Sequence, residues 1–198
     1  MSAMTKVALI RHYPTEWNGQ ARLQGQADIP LTDEAISTLQ KLKMPIPWVD
    51  ARLFASPLLR AYKTACLLSD GRVVQTDTRL IEMSWGEWEG ALAKDLIADP
   101  DSGFRPTHEW DRDTAAPGGE SMRDAWTRVR PALAEIASDP TPAVIVTHKA
   151  LMRVILGTAC DWSAQPEIKR GRLYPIELRE SGLPRNPEAP VRLEARSA

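Results

Sequence analysis

The sequence predicts an α/β protein layered on a mostly parallel sheet, and three observations carry that reading. Short, fully apolar runs alternate with longer stretches of helical spacing, the pattern of α/β layering rather than of a bundle or a β-sandwich. The clearest run, Ala143-Val144-Ile145-Val146, is continuous and β-branched, as a parallel strand buried on both faces should be. Three such runs end in polar side chains: Ile10 leads to Arg11-His12, Ala55 to Ser56, and Val146 to Thr147-His148. Ligands of open α/β sheets bind beyond the carboxyl ends of the strands, so these side chains, remote in sequence, are expected to meet there.

The first strand is expected over Val7-Ala8-Leu9-Ile10. After a polar loop, Thr32 reads as the N-cap of a helix reaching about Lys43, stopped by Pro45 and Pro47. Arg52 to Ala55 is a second strand, and Ser56-Pro57 starts a helix through Leu59, Tyr62 and Cys66. Val73 to Thr76 is a third strand. From Met83 to Gly119 periodicity fades into a cap-like excursion with a short helical piece near 91–98. Helical spacing returns over Glu120 to Ser138 (Met122, Trp126, Val129, Leu133, Ile136), where Pro131 is expected to kink or break the helix. After the strand at 143–146, a helix runs from about Ala150 to Cys160. Tyr174 to Leu178 reads as an edge strand because it contains Pro175, and the tail from Ser181, with Pro184, Pro187 and Pro190, as irregular.

The 198 residues are expected to form one domain with an ordinary hydrophobic core. A net charge of −1 argues against coating nucleic acid or an anionic membrane, so any basic site must be local. Cys66 and Cys160 are far apart and lack CxxC spacing, which suggests neither a disulfide framework nor a zinc ribbon. No apolar stretch has the length of a signal h-region or a membrane span. A cytoplasmic location, with no nucleic-acid or membrane partner, is the expectation.

The chain has only three histidines, His12, His108 and His148, and two of them follow predicted strands. HxxxH, HExxH and clustered carboxylates are absent, so neither a metal nor another cofactor is expected. Ser56 stands in Ala-Ser-Pro-Leu-Leu, not in a Gly-x-Ser-x-Gly elbow, and Walker-A and dinucleotide glycine patterns are missing. His108, with Arg105, Trp110 and Arg112, reads as surface or structural, the alternative being a cap that selects substrate. Trp85 and Trp88, close to Glu82, are candidates to wall a pocket.

Six blocks occur in order: Leu9-Ile10-Arg11-His12-x-x-Thr15-x-Trp17-Asn18; Gly25-x-x-Asp28-x-Pro30-Leu31-Thr32; Ser56-Pro57-Leu58-x-Arg60-Ala61; Leu80-x-Glu82-x-x-x-Gly86-x-Trp88-Glu89-Gly90; Gly118-Gly119-Glu120-Ser121; and Val146-Thr147-His148. Each is weak alone, but the ordered set resembles the histidine phosphatase superfamily, the phosphoglycerate-mutase-like proteins. The resemblance implies a three-layer α/β/α sandwich. It also implies that His12 accepts a phosphoryl group, that Arg11, Arg60 and His148 bind its oxygens, and that Glu82 is the proton donor. Thr15 and Asn18 match positions that help line the phosphate pocket, and Gln24, Ser56, Tyr13 and Lys149 are further substrate-binding candidates. Tyr13 and Lys149 stand where the family has glycine. A side chain at Tyr13 is expected to narrow the pocket rim or stack on a substrate, and Lys149 to add charge near the phosphate or point to solvent.

The function expected is a metal-independent phosphomonoesterase that acts through phosphohistidine on a small phosphorylated metabolite. A phosphoglycerate mutase shares the chemistry but must exclude water, and the chain is short for one. A non-catalytic phospho-ligand scaffold is the third reading, although it would be expected to have lost His12, Arg60 or Glu82.

Overall fold

The computed structural model describes residues 4–104, 112–159 and 167–196. The strands are β1 (Met4–Arg11), β2 (Leu42–Lys43), β3 (Arg52–Ala55), β4 (Val74–Thr76), β5 (Ala143–Thr147), β6 (Arg172–Arg179), β7 (Pro184–Arg185), β8 (Val191–Arg192) and β9 (Glu194–Ala195). The α-helices are α1 (Glu16–Gly19), α2 (Asp33–Gln40), α3 (Leu59–Leu68), α4 (Ala93–Ala98), α5 (Met122–Ala137) and α6 (Lys149–Ala159).

The main sheet runs in the order β4-β3-β5-β1-β6-β7, with β8 also paired to β6. β1, β3, β4 and β5 are parallel, and β6 is antiparallel to β1. Alternation along the strands explains the layers. Val7, Leu9, Ala143 and Ile145 join a core with Val129 and Leu133 of α5 and Leu151 and Ile155 of α6. Ala8, Ile10, Val144 and Val146 turn to the opposite face and pack with Leu39 of α2 and Ala61, Ala65 and Leu68 of α3. The three-layer expectation therefore holds, and every strand-end residue singled out above lies at the carboxyl edge of β1, β3 or β5.

Four local expectations are corrected. The helix after Thr32 ends at Gln40, because Leu42 and Lys43 pair as β2 with Ala195 and Glu194 of β9. The tail is accordingly not irregular: its short strands β7, β8 and β9 find partners. Pro131 does not break α5, which runs as one helix through it. A helix-interior proline costs about 3 kcal/mol. It sits on the exposed side, while the buried stripe Val129, Ala132, Leu133 and Ile136 is worth roughly 1.5–3 kcal/mol per large side chain and outweighs that cost.

Nor is β6 an edge strand. It lies between β1 and the short β7 and β8, yet Pro175 falls opposite the gap between them, which pair at Glu177–Leu178 and Arg172–Leu173. The Pro175 carbonyl accepts from Glu188 N–H on that outer side, so its missing N–H faces the same gap and costs no ladder bond to β1. Among the described residues no helix is long and apolar enough to cross a membrane.

Candidate active site

Register brings the site together. Arg11 at the end of β1 lies beside Thr147 at the end of β5, and the His12 N–H donates to the Thr147 carbonyl (2.9 Å). One strand over, the Ser56 N–H donates to the Val146 carbonyl (3.0 Å). The His12 and His148 rings meet with centroids 5.1 Å apart.

His12 is 4% exposed, and its Nδ1 lies 2.7 Å from the Tyr13 carbonyl oxygen. A carbonyl only accepts, so Nδ1 carries the proton and the lone pair is left on Nε2. Burial, and then the positive charges of Arg60, Arg11 and Arg170, hold the His12 pKa well below its ordinary value. The ring is neutral and its free nitrogen keeps an unprotonated lone pair. His148 is fully buried, with Nε2 at 2.8 Å from Ser56 Oγ, and burial together with His12 and the arginines lowers its pKa likewise. Ser56 Oγ accepts from the Leu58 N–H, so this serine holds the second histidine rather than lining the cavity.

Arg60 is 1% exposed on α3, and a chain of local bonds fixes it. The Glu89 carboxylate accepts from the N–H groups of Gln26, Ala27 and Trp85, which organises the loop after Gln24. That loop's Gly25 and Ala27 carbonyls accept from Arg60 Nη2 (2.7 Å) and Nη1 (2.6 Å). Gly25 has φ +50°, and a Cβ there would sit 2.1 Å from Glu89 Oε1, so only glycine fits this close approach.

Glu82 is held at the start of α6. Its Oε1 accepts from Met83 N–H (3.0 Å) and Leu151 N–H (2.9 Å), and its Oε2 accepts only the longer bond from Ala150 N–H (3.2 Å). Burial pushes its pKa up, opposed by those three N–H groups and by Arg60. Arg128 fixes the backbone below it, donating to the Arg79, Ile81 and Glu82 carbonyls while it pairs with Glu120.

These groups face a cavity of about 200 Å³ whose walls include Arg11, His12, Asn18, Arg60, Glu82 and Lys149. Among the described residues there is no cluster of three or more His, Cys, Asp or Glu able to hold a metal ion.

The profile of the histidine phosphatase superfamily (branch 1) matches residues 7–179. The chain belongs to this superfamily. It is 34% identical over 166 residues to the glucosyl-3-phosphoglycerate phosphatase of Mycobacterium tuberculosis, covering 76% of this chain and 73% of that one. It is 31% identical over 170 residues to a probable phosphoglycerate mutase of an Enterobacter species, covering 83% and 79%. Among solved structures, mycobacterial glucosyl-3-phosphoglycerate phosphatase in complex with VO3 aligns with a TM-score of 0.72 at 30% identity, over 87% of this chain and 92% of that one.

For a histidine phosphatase, the sequence-predicted residues sort into two groups. Arg11, His12, Asn18, Gln24, Arg60, Glu82 and Lys149 face the cavity, and the buried His148 ring lies against that of His12. Thr15 and Tyr13 do not face it. Thr15 caps α1 in a reciprocal arrangement, its Oγ1 accepting from Asn18 N–H and Asn18 Oδ1 accepting from Thr15 N–H, which leaves the Asn18 NH2 group for the cavity. Tyr13 neither narrows the rim nor offers a stacking face; its ring is buried in the core shared with α2 and α3, where an apolar ring has more surface to bury. Trp85 lines the cavity, whereas Trp88 packs edge-on against Phe104. His108, Arg105, Trp110 and Cys160 lie outside the described residues.

Arg22, Arg153 and Arg170 were not singled out from sequence. Arg22 and Arg153 line the cavity. A signal for Arg153 was present, since it follows Lys149 by four residues and helix geometry puts the two on one face.

The buried neutral histidines carry a stability consequence. Each has a folded pKa depressed below the unfolded value near 6.5, so the unfolded chain binds more protons as pH falls below that value. Their contribution is present above pH 6.5 and lost below it; Glu82, with a raised folded pKa, has the opposite sign and contributes most below its unfolded value of 4.5. Calorimetric melting between pH 7.5 and 5 should show Tm falling with pH, and His148→Gln should flatten that slope.

Proposed function

We propose that this protein is a metal-independent phosphomonoester hydrolase that works through phosphohistidine on a small phosphorylated metabolite. The observation that carries the reading is the fixed tautomer of His12: a buried neutral imidazole whose Nδ1–H is committed to the Tyr13 carbonyl, with Nε2 free beside two arginines and a carboxyl. In the first step the Nε2 lone pair forms an N–P bond as the P–O bond to the leaving alcohol breaks, and Glu82 gives its proton to that oxygen. Oε2 holds that proton, being the oxygen with a single backbone bond. In the second step water attacks phosphorus, its proton returns to Glu82, and the N–P bond electrons return to Nε2. Arg11, Arg60 and His148 hold the equatorial oxygens, so in-line placement and fixed positive charge supply the catalysis.

Two arginine side chains supply this charge permanently, and no metal is needed. Turnover of p-nitrophenyl phosphate should therefore be unchanged in excess EDTA; loss on chelation with recovery on adding zinc would overturn the metal-free reading. The mutase reading is favoured by the mutase-named relative. Supplying 3-phosphoglycerate and measuring free phosphate against 2-phosphoglycerate separates the two, and phosphate release should dominate.

The same proposal takes the chain as one domain, with the segment 83–119 as a cap beside the entrance. Trp85 faces the cavity, and Trp88, Ala116, Leu96 and Phe104 of the segment share a small apolar cluster with Leu23 and Ala150 of the rest of the domain. A cytoplasmic location is proposed with it, and Cys66 is a free thiol.

A further inference from the structure

The turn before β6 carries a cation that the phosphoryl chemistry does not use. It is tightly built: the Tyr174 hydroxyl donates to the Glu167 carbonyl (2.8 Å) and accepts from Lys169 N–H (2.5 Å), Ile168 is buried in the core, and the Gly171 carbonyl accepts from Leu193 N–H (2.9 Å). It also grips the site. The Ile168 carbonyl accepts from Arg11 Nη1 (3.3 Å), and a Cβ on Gly171 would lie 3.1 Å from the Tyr13 hydroxyl. Arg170 is thus held between two contacts with the residues that flank His12.

Its Nε and Nη2 are buried without a hydrogen-bond partner among the described residues. Its charge acts on Arg11, His12, Tyr13 and Lys149, and no carboxylate of the described residues offsets it; burial and Arg11 push its pKa down to about 10. Two buried, unpaired guanidinium nitrogens beside a second guanidinium and an ammonium are costly unless an anion joins them. Lys149 stands on the cavity wall with Arg153, four residues along α6, and the positive charge of Arg170 reaches it from the turn. The one nearby acid that acts on Lys149, Glu167, is already paired with Lys169 (2.8 Å).

We propose that Arg170 and Lys149 form a second anion subsite, beside the phosphoryl pocket, which selects phosphomonoesters bearing another acidic group such as a carboxylate. This rests on the phosphatase reading above. It deepens it, because neither cation is among the groups that hold the transferred phosphoryl there.

The test compares esters matched except at the far end: phosphoglycolate against 2-hydroxyethyl phosphate, and the one-carbon-longer acid against 3-hydroxypropyl phosphate. Wild type should favour the acid of at least one pair by roughly tenfold or more in kcat/KM, the scale of a charge-assisted contact. Arg170→Gln and the exposed Lys149→Gln should each move that ratio toward one, and Arg170→Lys should keep part of it. A wild-type ratio near one for both pairs, or a ratio unmoved by Arg170→Gln, overturns the subsite. p-Nitrophenyl phosphate, which has no second acid, reports the phosphatase reading separately. If no ester turns over, calorimetric titration with the same pairs decides: a tenfold difference in Kd that Arg170→Gln removes supports the subsite, and equal Kd values in wild type refute it.

Discussion

Replacing His12 by alanine is expected to lower turnover of every phosphate ester by roughly four orders of magnitude or more, the scale seen when an enzyme loses its nucleophile. Alanine leaves Arg11, Arg60 and Glu82 in place but removes the one protein atom that bonds to phosphorus. It also leaves the buried Tyr13 carbonyl without its 2.7 Å donor, a loss of about 1–3 kcal/mol in stability. His12→Asn is the companion variant, because its amide NH2 can still donate to that carbonyl while offering no nucleophile. Both should be inactive, with the asparagine variant melting closer to wild type. Activity within tenfold of wild type in either would mean that the phosphoryl group goes elsewhere.

Glu82→Gln should separate ester types. Alkyl esters have poor leaving groups and need the proton, so their turnover should fall about 10²–10⁴-fold, the usual worth of general acid catalysis. p-Nitrophenyl phosphate needs it far less in the bond-breaking step and should lose less. Glutamine keeps one oxygen for Met83 and Leu151, but its NH2 then faces the Ala150 N–H, so a modest drop in Tm accompanies the kinetic effect. The pH dependence has a matching sign. Because burial raises the Glu82 pKa, the acid form persists above the ordinary carboxyl range, and alkyl-ester turnover should decline as pH rises through it. Equal losses for both ester types would count against the acid role.

The layers and the strand-end chemistry were legible because they rest on short-range pattern. Val7 to Ile10 and Ala143 to Val146 are continuous apolar runs whose alternate residues serve opposite cores, and Arg11, Ser56 and Thr147-His148 follow their strands directly. What stayed hidden depends on partners distant in sequence. Pro175 reads as an edge residue until β7 and β8 leave a gap opposite it, and the proline-rich tail reads as irregular until Leu42–Lys43 and β6 supply its pairings. Pro131 is tolerated through its position on the exposed side of α5, which its identity does not reveal.

Within the site, residue types were readable but their settings were not. The tautomer of His12 depends on a backbone carbonyl, the state of Glu82 on amides at the start of α6 nearly seventy positions away, and the aim of Arg60 on a loop shaped by Glu89. Tyr13 was misread because its neighbour His12 faces the cavity while its own ring enters the core. Arg170 carried no motif; only the folded turn shows where it stands.

The central claim is covalent transfer to His12, and the most direct measurement traps it. The enzyme, or Glu82→Gln to slow the second step, is mixed briefly with phosphorus-labelled p-nitrophenyl phosphate, denatured and digested. The account predicts acid-labile, base-stable label on the peptide containing His12, absent from His12→Asn. Rapid turnover with no label on that peptide, or label on another side chain, would contradict it.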